Sequence, residues 1–511
     1  MHSGLIQNKR ITINLIAIFT TLVALLPIII LILEGFNGLV SSSVSLGADG
    51  PKQIKSTLYL VFLTSVVGGC IGTINGWLLA NCRFPGRRFL KVSQLIPLAT
   101  PAYLLSAILI DLGSINAIRI HGMVWAVIIM SMTTYPYVFL LSTESFTISG
   151  KRQLEAARSL GTGPWSNFRR IALPMALPAI GAGSALMAME VINELGAVQL
   201  LNVPSISAGI VENWIIENNP SGAIALALIA LSIVMSLVAY ERHLRSKSRR
   251  WNEGIAGGEA PAWELKGIRA FLAQCITSAP PTFTLLTPIL WVLLNFEQIG
   301  KGLDMELVLL TIRSLSLGII AALLSVIAAL ILAIAKRWNN SNWMKNITFL
   351  AGIGYAIPGV VLALALLSFS GNPFRITPII LLLWGYSDRF LAVAKGGLDA
   401  AFERFPPNLD EAATSLGCNW LQVLKRVHLP LLKGPLRVGA LLVFVDTLKE
   451  LPLTFVLRPF DFDTLSVRIY QYAGDERMAE SILPSLIILT LGLIASVALM
   501  PGLDYSENEK D

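Results

Sequence analysis

Five ionisable residues stand where an apolar chain should have none. Glu190 and Glu194 are four apart, and Asp446, Lys449 and Glu450 repeat the pattern 256 positions later with a cation added. Residues four apart share one helix face, and charges inside apolar spans are functional candidates by default. Lys449 can pair with Asp446 three residues away, which lowers the cost of burial. Four carboxylates at related positions are expected to line a transport path, and hard oxygen ligands suit a hard, highly charged cation. The plain alternative is that they cap or pair near a membrane surface. Asp388-Arg389 is a further intramembrane pair, read as structural.

A second constellation recurs at the same displacement. One copy reads Glu155-Ala-Ala-Arg-Ser-Leu-Gly161 and, ten residues on, Ile171-Ala-Leu-Pro174; the other reads Glu411-Ala-Ala-Thr-Ser-Leu-Gly417, then Val427-His-Leu-Pro430. Two copies in register mark a duplicated chain. Glu and Ala favour helix, and the Gly permits a tight terminal turn. Each copy therefore predicts a short helix, a fixed turn and a Leu-Pro entry into an apolar span: a rigid protrusion able to transmit a push.

These motifs are carried by an unusually apolar chain. Of its 511 residues, 54% are hydrophobic and 14% charged, against roughly 25% charged in soluble domains. The blocks 11–33, 56–82, 270–296, 314–335, 346–374 and 481–503 contain no charged residue, and each has the ~20 residues a helix needs to cross a bilayer. Less uniform blocks at 92–112, 123–143, 173–195, 222–240, 376–394 and 436–457 bring the expectation to about twelve spans. The first is too long for a signal-peptide core and is expected to be retained. Pro97, Pro101 and Pro358 fall mid-span, where freed carbonyls permit bends.

The expected fold class is an all-α membrane protein of two homologous six-helix bundles. The expected division is a helix and outer loop (1–55), a first core (56–241), a cytoplasmic linker (242–269), a helix and outer loop (270–310), a second core (311–503) and a cytoplasmic tail (504–511). The net charge of +7 does not indicate nucleic acid. Roughly 28 of the 39 Lys and Arg fall in alternate loops, the positive-inside bias, which places both termini in the cytoplasm.

Several chemistries find no support. Cys70, Cys82, Cys275 and Cys418 lack ligand spacing and read as small apolar fillers; the four histidines are dispersed, so no metal cofactor is expected. Gly150-Lys151 and Gly300-Lys301 are followed by Arg and Gly, not by the Ser or Thr of a nucleotide-binding loop. No nucleophile–base constellation suggests an enzyme.

The paired loops resemble the EAA loops of ABC importer permeases of the first importer type. The resemblance implies that Glu155, Ala156, Ala157, Gly161, Glu411, Ala412, Ala413 and Gly417 couple the chain to a separate ABC ATPase homodimer. It also implies a periplasmic binding protein delivering the cargo, and no cofactor bound by the chain itself. The stretch Lys449-Glu-Leu-Pro-Leu-Thr-Phe-Val-Leu-Arg-Pro-Phe-Asp-Phe-Asp-Thr-Leu465, with Val467-Arg-Ile-Tyr470, Asp475-Glu-Arg477 and Tyr135-Pro-Tyr-Val-Phe-Leu140, is similar to ferric iron permeases in particular. The first half departs from it, with Asn193 and Asn202 where the second has Lys449 and Arg458. The implied location is a bacterial inner membrane. Arg458, Asp461, Asp463 and Arg468 are expected outside, as a mixed-charge surface for the binding protein. Two rivals stay open: the same architecture importing thiamine or a polyamine, and an ion-gradient secondary transporter, which twelve spans in two halves also fit.

Overall fold

A computed structural model describes residues 2–40, 46–47, 49–148, 159–252, 263–339, 341–370, 376–406 and 408–499. Apart from one two-residue parallel ladder, the described residues with regular structure are helical. In chain order the helices used below are α1 (His2–Val40), α2 (Gly50–Asn81), α3 (Arg87–Ser93), α4 (Ala102–Ile115), α5 (Met123–Thr134), α6 (Pro136–Ile148), α7 (Leu173–Asn193), α8 (Gly196–Leu200), α9 (Ile206–Val211), α10 (Pro220–Asn252) and α11 (Ile268–Leu294). The second half continues with α12 (Met305–Trp338), α13 (Asn342–Leu350), α14 (Gly359–Phe369), α15 (Pro378–Arg404), α16 (Asn408–Ser415), α17 (Leu429–Lys449), α18 (Pro452–Leu457), α19 (Leu465–Gly474) and α20 (Met478–Leu499).

Among the described residues seven helices are long and apolar enough to cross a membrane, and three bent pairs bring the number to ten. These ten coincide with ten of the twelve expected spans. The other two are α15 and α17, which have the length but carry Asp388, Arg389 and Lys395, and Lys433, Arg437 and Asp446, respectively. Large apolar side chains stay exposed along the long helices, among them Phe19, Phe36, Ile289, Leu293, Ile320 and Leu323, as a lipid-facing surface requires.

The three bent pairs are broken at prolines. The chain turns by 87° between Ala99 and Ala102 around Pro101, and by 104° between Tyr355 and Gly359 around Pro358. Pro101 and Pro358 are extended, with ψ near 140°. Pro136 accompanies the milder 45° bend between α5 and α6. A missing N–H and a fixed φ explain why the breaks fall there.

The chain forms two compact units, one of residues 1–44 with 304–468, the other of 45–303 with 469–511. In the first, α1 packs against α12, α13 and α14. Within this unit α12, α15 and α17 form the central bundle. In the second, α2, α6, α7 and α10 form the bundle, while α11 and α20 pack on the segments around α3 and α4. The first unit thus joins most of the second half's core to α1, and the second joins the first half's core to α11 and α20.

Part of the segment expected to be a linker is helical. Helix α10 continues to Asn252, with a Glu241–Arg245 ion pair one turn apart at 2.6 Å. Residues 253–262 lie outside the described set. Beyond them Trp263-Glu264 pairs in parallel with Cys82-Arg83, and the Trp263 ring packs 5.6 Å from Trp77 in a cluster with Phe146 and Phe168. Burial of one large aromatic supplies the holding contact.

Candidate functional site: levers, buried charges and an outer loop

Of the two repeated Glu-Ala-Ala segments, expected to act as levers, the second is α16. It ends in paired turns: the Cys418 N–H donates to the Ala413 carbonyl at 3.1 Å and that of Gly417 to Thr414 at 3.0 Å. This is the Schellman closure, which needs a left-handed residue. Gly417 has φ +82° and Gly161 has φ +77°. Nothing lies within 4 Å of where either would carry a Cβ, so backbone conformation, not space, calls for glycine. Glu411 and Ala412 are exposed and Ala413 is buried. Glu155, Ala156 and Ala157 lie outside the described residues.

Both levers then enter their spans through a single π-turn, Phe168–Ala172 in one half and Leu424–His428 in the other. The following prolines, Pro174 and Pro430, cannot donate into an α-helical ladder, and a widened turn is the local response. The composition reading passes over what flanks the glycines. Leu160 is 83% exposed and Leu416 is 85% exposed. Trp165 and Leu421, again 256 apart, are exposed too. The signal is the Ser-Leu-Gly shared by both copies; composition alone does not separate a leucine exposed on a loop from one facing lipid.

The intramembrane carboxylates are placed by helix ends. Helix α7 stops at Asn193, and Glu194 turns extended so that its Oε1 accepts from the Ala197 N–H at 2.9 Å. Glu450 does the same for Leu453 at 3.2 Å. Both therefore cap the short helix that follows, α8 or α18. Glu450 is also paired, its Oε2 lying 3.2 Å from Arg389 Nε, with both side chains under 8% exposed. Arg389 donates further to the Ile357 carbonyl at 2.8 Å, at the break before α14. Asp388 is 4% exposed, and neither carboxylate oxygen has a hydrogen-bond partner among the described residues. Asp446 and Lys449 form the expected pair at 2.8 Å, part-exposed. Glu190 is half-buried. The structure brings Glu450 to Arg389 and Asp446 to Lys449. Among the described residues no three His, Cys, Asp or Glu gather as metal ligands.

The loop after α18 is braced by charge. Arg458 pairs with Asp463, Asp463 lies 3.7 Å from Arg468, and Arg468 pairs with Glu306. Arg313 donates to the Asp461 carbonyl at 3.0 Å and covers the Phe462 ring. Asp461 is left-handed at φ +57°, and Phe460 is 96% exposed. The first half turns at Asn202, φ +58°. In both halves a hydroxyl on the first core helix receives the next helix's leading N–H: Thr57 from Ile206 and Ser314 from Leu465, each at 2.9 Å. Asn202 to Asp461 is a displacement of 259 against 256 at the levers, so the second loop is three residues longer.

Two bundles with matched left-handed glycines, matched π-turns and matched capped breaks define a duplicated membrane permease. The family model of the binding-protein-dependent transport system inner membrane component matches residues 68–250 and 325–500, and the chain belongs to that family. It is a transport subunit, not an ATPase, carrying two permease domains in one polypeptide. It is 26% identical to the Fe(3+)-transport system permease protein FbpB 2 of Haemophilus influenzae over 442 residues, 84% of this chain and 85% of the relative. It is 30% identical to the sulfate transport system permease protein CysT of Escherichia coli over 155 residues, covering 28% of this chain and 56% of that protein. The molybdate/tungstate transport system permease protein WtpB of Thermococcus kodakarensis is 25% identical over 151 residues, 29% of this chain and 60% of its own length.

Proposed function

We propose that this permease imports ferric iron delivered by a periplasmic binding protein, through alternating access driven by an ABC ATPase homodimer. The observation that carries the cargo is the similarity to an Fe(3+) permease running through both halves, whereas the sulfate and molybdate/tungstate relatives match less than half of the chain. The stretch from Lys449 to Leu465 supports the same reading.

In this reading the levers at 155–161 and 411–417 dock on the two ATPase subunits, and Leu160, Trp165, Leu416 and Leu421 supply the apolar contact. ATP closure draws the levers together, and hydrolysis resets them. The differential binding needed to switch such an equilibrium fully is about 5.5 kcal/mol. Helices α15 and α17 complete twelve spans with both termini in the cytoplasm, in a bacterial inner membrane. The braced loop with Arg458, Asp461, Asp463 and Arg468 receives the binding protein. Glu190, Glu194, Asp446, Lys449 and Glu450 stand beside the path; the capping roles of Glu194 and Glu450 shape its walls. The chain holds no cofactor, and ATP is bound by the partner.

The test is uptake into liposomes carrying the complex with its binding protein. Labelled ferric ion, thiamine, spermidine and sulfate are compared with and without ATP, and with an uncoupler. ATP-dependent ferric uptake that survives the uncoupler is expected. Uptake of another cargo alone, or uptake that follows the ion gradient, would overturn the proposal.

A further inference from the structure

The carboxylate next to the lever's glutamate is gripped from two sides. Arg337, in the last turn of α12, donates from Nε to Asp410 Oδ2 at 3.0 Å. Its other nitrogens reach the carbonyls closing α15: Nη1 to Phe402 at 3.3 Å and Phe405 at 3.0 Å, and Nη2 to Pro406 at 2.9 Å. The second oxygen, Asp410 Oδ1, lies 2.7 Å from His428 Nε2. His428 is 2% exposed and lies against the rings of Trp338 and Phe402. One carboxylate thereby ties α16 to the end of α12 and, through the π-turn, to α17. A planar guanidinium fork holds direction as well as position.

The first half has no such fastening in its sequence. Ala80 or Asn81 stands where the repeat places Arg337, Leu154 where it places Asp410, and Ala172 where it places His428.

We infer that Asp410, clamped by Arg337 and His428, is the pin that passes movement of the second lever into its bundle. The inference rests on the reading of 411–417 as an ATPase lever. Arg337, Asp410 and His428 are positioning residues: they touch neither cargo nor nucleotide. Force on α16 reaches α12 and α17 through short charge-assisted bonds and not through side-chain packing alone.

The test uses the whole complex in liposomes with the Asp410→Asn, Asp410→Glu and Arg337→Gln variants. For Asp410→Asn and Arg337→Gln, the ATPase should remain bound and hydrolyse ATP with an unchanged KM. Ferric ion imported per ATP should fall about tenfold, and amide exchange over 408–417 should rise about tenfold, as loss of a charge-assisted bond implies. Asp410→Glu should recover part of both. An unchanged import ratio, or a fall in hydrolysis and import together as the ATPase dissociates, would overturn the pin. A wild-type complex that binds no ATPase would defeat the lever reading itself. If wild type hydrolyses ATP but moves no ferric ion, the cargo reading fails. The pin is then decided by amide exchange and by binding-protein stimulation of hydrolysis, both of which must change in Asp410→Asn.

Discussion

Glu194 and Glu450 look alike in sequence and do the same capping work, but their surroundings differ. Glu194 is half-buried, whereas Glu450 neutralises a buried guanidinium. Removing a cap costs about 1 kcal/mol, while stranding one partner of a buried pair costs about 3–5 kcal/mol. Thermal unfolding in detergent should therefore show Glu450→Ala far below Glu194→Ala; equal losses would dismiss the Arg389 pair as a structural element. Asp410 carries a pH dependence of its own. Burial raises its pKa, but the hydrogen bonds and charges of His428 and Arg337 outweigh that and hold it below the usual value. A depressed folded-state pKa means the stabilisation is complete above the unfolded pKa of about 4 and is lost as pH falls through the lower folded value. Protection of the 408–417 amides, after correction for intrinsic exchange, should not be lost through Asp410 between pH 7 and pH 5. Early loss, abolished by Asp410→Asn, would contradict the assigned direction.

At the level of elements, close approach and proline explain most of the geometry. In the second unit α6 and α7 meet at Gly183, where an added Cβ would lie 2.7 Å from the Val138 Cα and 3.0 Å from the Tyr137 carbonyl. Both neighbours are backbone and cannot swing aside, and small residues are what permit such contacts between membrane helices. Gly183→Leu should cost at least the ~1–3 kcal/mol of an overpacked core, visible as reduced yield of monodisperse protein and a lower Tm. An unchanged Tm would mean the helices separate freely. The breaks at Pro101 and Pro358 were legible as bends in the sequence, but not as turns of 87° and 104°. The missing N–H marks where a ladder fails, while neighbouring packing decides how far the chain turns.

For the whole molecule, sidedness is the decisive property. Leu416 and Phe460 are exposed tips of the second half. The proposed orientation puts the first in the cytoplasm and the second outside. In a background with Cys70, Cys275 and Cys418 replaced, Cys82 can remain, because burial pushes its thiol up to about 12 against the opposing pull of Arg87. An impermeant maleimide applied to intact cells should label Phe460→Cys and spare Leu416→Cys; the reverse pattern would invert the topology and remove the levers from the ATPase side. The double charge reversal Glu155→Lys with Glu411→Lys should abolish import with the protein still in the membrane, and undiminished uptake would refute docking through these loops.

Much of this architecture follows from local pattern. Helix spans need only continuous apolar composition, the duplication needs only matched residues at a constant displacement, and the lever turn needs only Gly417 after a helix-forming run. Each of these signals lies within one element or its copy. The tertiary structure alone decided that Arg337 meets Asp410 across 73 positions, that Arg389 meets Glu450 across 61, and that α1 joins the unit of residues 304–468. Such partners are chosen when helices pack, because a guanidinium can satisfy any carboxylate or carbonyl brought within reach, and composition does not say which one the backbone will bring.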